Sequence, residues 1–458
     1  MSTSPPTWPV WLELPFGWRL ARPSREGYGL AAIVLIGFGC ARSSGEYRPT
    51  SLLLVVGGAC LLMLTATGSG RQATKATWSA AVFLGALCTG LLFHNSALVG
   101  WLAPIIGGLG AVLAVLFSQT LPRVFGCALA ALMSITVLIE HVKWGQAPID
   151  VFDFAQRATL QLLHGRDPYL GAYPTTTPHL PFAHYPFWPA VLLLSVPGRL
   201  VGDVRVSNLL AAAAVIAALT VLAKRKGGTD FAWRCLALSL TLPFWPFMLR
   251  QAWPEIFFIA AIALWLALRD RHRATSVVVL GVGIATVATG LPFLVFPFLW
   301  FRRARIEILA ALAPALLISL PFVFWVGPAH FVSYTMLTQL HLPPRADGLD
   351  LDSAWVREIG DWLPIWVWPL VSVLVLVLLA MTRPRNWSNA FYRGTTFVLI
   401  ALLLAKWAFF NYYFLVCVGV IAAIALDDFR KSVPAGTGAA DRARAALAPV
   451  VRTADAAP

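Results

Sequence analysis

A chain of 458 residues that is 59% hydrophobic, with mean hydropathy +0.74 and 19 Trp, carries more apolar surface than one soluble core can bury. That excludes an ordinary soluble enzyme and points to a polytopic membrane protein. The formal net charge is +14, yet the basic residues fall in short clusters between apolar runs, so they read as topology signals and not as a nucleic-acid surface.

The N-terminal segment, residues 1–27, lacks a basic stretch followed by an apolar core and a small-residue cleavage site, and reads as a retained cytoplasmic or interfacial segment. Apolar runs at 28–41, 51–68, 78–93, 97–118 and 124–141 are each near the length of a bilayer crossing. Arg19, Arg22 and Arg25 put the N-terminus in the cytoplasm, and Arg71, Lys75 and Arg123 fall on the same side if every run crosses. The polar loop 142–186 is then extracytoplasmic. The short run 187–198 is bounded by prolines. Counting it as a crossing would put Lys224, Arg225 and Lys226 outside, so it reads as a re-entrant helix, and 142–205 as one extracytoplasmic unit.

Runs at 206–223, 231–248 and 254–268 follow, with Arg250 and Glu255 outside and the cluster 269–273 inside. The apolar stretch before the next basic cluster, 302–305, is broken by Gly290 and Pro292 and reads as two short helices with a break at depth. The run 306–327 leads to a second extracytoplasmic loop, 328–361, and the C-terminal helices occupy 362–426, ending in a hairpin interrupted around Lys406. Residues 427–458 read as a disordered cytoplasmic tail. The expected fold is all-α, with about 11 to 14 transmembrane helices: residues 28–141 are accessory and 206–327 central. No nucleotide-binding motif and no internal repeat is evident, and the six cysteines, all in or beside apolar segments, suggest neither disulfides nor a zinc site.

Chemistry-bearing residues concentrate in the two loops. Asp150, at the head of the first, is placed to ionise against an apolar wall and to act as a general base; the structural alternative is that Asp150 or Asp153 caps the amphipathic stretch in which Phe152, Ala155, Thr159 and Leu162 share a face. Gly165 and Asp167 form a turn, with Asp167 structural. His164, His179 and His184 are candidate phosphate or sugar contacts, with ordinary loop histidines or a metal triad as alternatives. In the second loop Arg345 can grip a phosphate through its fork and His341 can donate to one, the alternative being a local ion pair of Arg345 with Asp347. Lys406, inside an apolar run beside Asn411, Tyr412 and Tyr413, calls for an anionic partner or snorkels to the interface.

The stretch IDVFDFAQRATLQLLHGRDPY, the segment HYPFWPAVLLLSVP and GDVR at 202–205 together resemble glycosyltransferase family 87 (the DUF2029 proteins), among the C-type (GT-C) membrane glycosyltransferases. AWPEIF, LHLPPRADGL and KWAFFNYYFL extend the likeness, which covers residues 140–426 and leaves 1–120 outside it. The resemblance implies a GT-C-like enzyme that transfers a sugar, usually mannose, from a polyprenyl-phosphate donor to a lipid or glycan acceptor, with inversion and without a cofactor. A divalent metal is left open. It implies an aspartate base, matched by Asp150 better than Asp153. Arg345, His341 and Lys406 would then lie near the donor phosphate, Asp153 and Glu255 would orient the acceptor, and His184 and Tyr185 would join the substrate contacts. Many members carry lysine where this chain has Gly290, so that phosphate contact is absent or comes from Lys406 or Arg345. Two other function classes compete: a transporter or flippase of lipid-linked or small solutes, and a structural or assembly protein.

Overall fold

The structure, a computed structural model, describes residues 11–13, 19–21, 24–65, 72–93, 98–141, 149–174, 182–286, 288–337, 345–405 and 407–427. Ser24 opens the first helix by accepting a hydrogen bond from the Gly27 amide at 2.9 Å. From it run α1 (Arg25–Ser43), α2 (Pro49–Leu64) and α3 (Lys75–Leu92), then α4 (Ala103–Leu116) and α5 (Thr120–His141). The first polar loop holds α6 (Asp150–Leu163), and α7 (Pro189–Leu200) leads into α8 (Arg205–Gly227), α9 (Thr229–Leu240), α10 (Trp245–Gln251) and α11 (Glu255–Leu268). Beyond these come α12 (Arg273–Ile284), α13 (Val295–Trp300), α14 (Arg302–Val326) and α15 (Pro328–Val332). The last four helices are α16 (Leu351–Ile359), α17 (Val367–Ala380), α18 (Trp387–Leu404) and α19 (Phe410–Ala425). Among the described residues strands are confined to two short antiparallel pairs, Trp11–Glu13 with Arg19–Ala21 and Tyr173–Pro174 with Phe182–Ala183.

The core lies around α11 and α19, which are apolar on every side and buried almost throughout. A helix of that composition needs neighbours all round, and α19 finds them in α1, α8, α11 and α18. Segments assigned to one side by the charge pattern bond to one another. Arg123 pairs with Asp230 at 2.7 Å, Arg269 with Glu307 at 3.2 Å and Arg303 with Asp270 at 3.1 Å, and Arg225 donates to the Ala267 carbonyl. Segments assigned to the opposite side also bond to one another: the Tyr47 amide donates to the Asp347 carbonyl at 2.9 Å and the Leu349 amide to the Ala408 carbonyl at 2.8 Å.

Among the described residues four helices, α3, α5, α8 and α14, are long and apolar enough to cross a membrane, and α9 with α10 makes a fifth if that pair, bent by 52°, is one span. The remaining apolar helices, at 10–17 residues, fall short of a straight crossing, since about 20 residues are needed. The shortening has visible causes. The expected run 231–248 is split where Leu242 and Pro243 end α9. The stretch containing Gly290 and Pro292 becomes a 3-10 turn, Ala288–Leu294, between α12 and the six-residue α13, in keeping with the expected pair of short helices. The C-terminal hairpin is likewise interrupted between Leu404 and Phe410.

Candidate functional site

Asp150 is the first residue of α6, and Ile149 is its cap, with no side-chain cap bond. The expectation that Asp150 or Asp153 caps this helix is therefore corrected: both lie within its first turn, where the helix dipole favours negative charge. Asp153 is in an i,i+4 pair with Arg157 at 3.2 Å. The side of α6 opposite solvent is fixed twice. Phe154 and Ala158 pack into an aromatic cluster with Tyr169, Tyr173, Tyr185, Leu192 and Phe322, while Phe152 and Ala155 pack on Val204 and Ala252.

The end of α6 is a turn that glycine makes possible. Gly165 has φ 68°, the Arg166 amide donates to the Gln161 carbonyl at 2.9 Å and the Gly165 amide to Leu162 at 3.0 Å, which is the Schellman arrangement. Asp167 then accepts from the Tyr169 amide at 2.8 Å, an Asx turn, so its structural role holds. The Tyr169 hydroxyl donates to the Phe187 carbonyl at 3.0 Å, tying this turn to the residues before α7. Burial pushes the Tyr173 phenol up to about 12 and the Tyr169 and Tyr185 phenols well above their ordinary value. All three stay neutral at physiological pH. The Tyr185 hydroxyl is buried and has no hydrogen-bond partner among the described residues. His184 stacks on Tyr334 with ring centres 4.0 Å apart.

The second loop is strapped down at several points. Arg345 forms a two-point bond to Asp347, Nε to Oδ1 at 2.9 Å and Nη2 to Oδ2 at 2.5 Å. Its guanidinium lies 4.8 Å from the Phe409 ring centre. The local ion pair is thus formed, and the Nη1 side is the part of the fork that Asp347 does not engage. Partial burial raises the Asp347 carboxyl, but the Arg345 bond and charge outweigh it and leave the group below its ordinary value. Asp350, fully buried, caps α16 by accepting from the Ser353 amide at 2.7 Å, and its other oxygen accepts from the Ala408 amide at 3.0 Å. Burial pushes its carboxyl up to about 7 against the lowering effect of those two amides.

Glu255 is buried at the start of α11, and its Oε1 accepts from the Asn411 amide group at 2.8 Å; Glu255 Oε2 and Asn411 Oδ1 have no hydrogen-bond partner among the described residues. Ala252, just before α11, shares an apolar cluster with Phe152 and Ala155 of α6, while Glu255 bonds Asn411 and Arg345 lies against Phe409, two residues from Asn411. His341, Lys406 and His179 lie outside the described residues. At Gly290 a Cβ would meet the Phe258 ring at 2.1 Å, so packing leaves no room there for a longer side chain. Among the described residues no group of three or more His, Cys, Asp or Glu could hold a metal ion.

Sequence reasoning missed the roles of Gln156, Asp350 and Asn411. A half-buried glutamine on a helix gives no signal of its partner, and Asn411 is recognisable only by its place in an apolar run. Comparison with protein-family models, with curated proteins and with solved structures finds no match.

Proposed function

We propose that the chain is a membrane glycosyltransferase that moves a sugar, mannose in the family it resembles, from a polyprenyl-phosphate donor to a lipid or glycan acceptor, with Asp150 as general base. The observation that carries this reading is the setting of Asp150: partly exposed, in the first turn of an amphipathic helix whose other side is locked into the protein body. The carboxylate accepts the proton of the acceptor hydroxyl as its oxygen attacks the anomeric carbon. The bond from that carbon to the phosphate oxygen breaks, its electron pair leaves with the polyprenyl phosphate, and the sugar inverts. Arg345 offers its Nη1 side to the departing phosphate, with His341 and Lys406 as further contacts; Asp153 and Glu255 orient the acceptor, and His184 and Tyr185 are further substrate contacts. The reaction so written uses no cofactor. In this reading the basic end faces the cytoplasm and α6 the other side.

Membranes containing the protein, given radiolabelled polyprenyl-phosphate mannose, are expected to pass label to a lipid or glycan. Asp150→Asn protein that folds normally is expected to lose about 10²–10⁴-fold in rate; full activity in that variant rules out Asp150 as the base. One observation favours transport or flipping instead: Glu255 is an ionisable group buried inside the helical body. Uptake of labelled substrate into proteoliposomes without any transfer product would select that second reading.

A further inference from the structure

The N-terminal half of α6 is gripped by polar groups for which the chemistry above has no use. The Gln156 side chain donates through Nε2 to the Gly202 carbonyl at 2.8 Å and accepts through Oε1 from the Val204 amide at 3.0 Å. One carboxamide therefore occupies two backbone groups of the turn between α7 and α8. Asp203, the residue between those two groups, is 8% exposed and accepts from Arg205 Nε at 2.9 and 3.0 Å and from Nη2 at 2.5 Å. The flat face of that guanidinium, itself 3% exposed, lies 4.4 Å from the centre of the Phe152 ring, two residues from Asp150. Ala252 belongs to the same apolar cluster as Phe152, Ala155 and Val204 and holds a left-handed backbone, φ 57°, that is rare for a residue with a Cβ.

Stability alone is a poor reason for this arrangement. A buried Arg–Asp pair contributes little over apolar residues of the same size, and left-handed backbone at a non-glycine residue costs free energy that is commonly stored where geometry serves function. α6 also has no side-chain N-cap, so its first turn depends on outside contacts for its direction. We propose that Gln156, Asp203 and Arg205 are positioning residues that aim the Asp150 carboxylate; the proposal rests on Asp150 being the base.

The test uses the full chain in lipid nanodiscs. Gln156 is only half-buried, so Gln156→Ala removes both bonds with the least risk to folding. Hydrogen–deuterium exchange should become at least about tenfold faster in α6 and in residues 202–206, with α19 unchanged. Equal exchange in wild type and variant overturns the clasp, and this measurement needs no activity. In transfer assays Gln156→Ala should lower kcat about tenfold to a hundredfold with KM for the donor unchanged. Gln156→Glu, which keeps the acceptor for the Val204 amide and loses the donor to Gly202, should fall between. In the Asp150→Asn background Gln156→Ala should have no further effect on the residual rate. The same loss in both backgrounds overturns action through Asp150. If wild type transfers no sugar, the enzymatic reading fails, and the exchange result alone decides whether the clasp exists.

Discussion

Asp350 shows how much one carboxylate is asked to do. It caps α16 and, through its second oxygen, holds the Ala408 amide, so one side chain joins the second loop to the start of the last helix. Its carboxyl ionises at about 7 in the folded protein against an ordinary 3.8. The folded value is the higher one, so the folded state binds the proton more tightly. This group's contribution to stability is present in full below about pH 4 and is lost as pH rises through about 7. Melting temperatures measured across that window should fall with pH in the wild type and vary less in Asp350→Asn; parallel curves would assign the dependence to other groups. Arg345 is a contrasting case. Its pair with Asp347 is about one-third exposed, where such a bond is worth roughly 0–1 kcal/mol. Arg345→Lys should therefore leave stability almost unchanged but, on the proposed transferase reading, raise KM for the polyprenyl-phosphate donor, because the fork is lost while the charge remains.

Among the elements, the turn between α1 and α2 answers a question that composition leaves open, namely what the N-terminal helices contribute. Glu46 pairs with Gly348 in a single antiparallel bridge, Tyr47 binds the Asp347 carbonyl through its amide and Glu358 through its hydroxyl at 3.3 Å, and Arg357 lies over the Tyr47 ring at 5.4 Å. The second loop is therefore seated on α1 and α2 as much as on α19. Tyr47→Ala should loosen α16, seen as faster hydrogen exchange in residues 345–359, while α6 keeps its protection. The turn after α6 is stiff for a local reason. Gly165→Ala places a Cβ at positive φ and should cost about 1 kcal/mol in thermal or denaturant stability; open space around the position means that no clash adds to it.

At the scale of the molecule, the outward faces of α14 and α17 carry exposed apolar side chains, Leu317, Phe324, Leu370 and Val373 among them. So large an apolar surface is stable in contact with lipid and not with water. The protein should remain in the membrane pellet through alkaline carbonate washing and enter solution only with detergent; release by carbonate would contradict a membrane-spanning chain.

How much of this was legible beforehand divides by range. Amphipathic α6, the glycine turn at Gly165, the break near Pro292 and the Arg345–Asp347 pair were all readable, because each depends on neighbours within a few residues; the break at Pro243 was not, and the run 231–248 reads as unbroken. The cap of α6 was misread because an acid can serve in the first turn as well as at the cap, and local pattern does not distinguish the two. Composition and the spacing of apolar runs determined a mostly helical fold and the break at Gly290 and Pro292. Only the tertiary structure decided that Glu255 meets Asn411, that Tyr47 seats Asp347 and that Gln156 grips the turn at Gly202. Each of these bonds joins segments 46 or more residues apart, and such partners are chosen by how the helices pack, which no local pattern encodes.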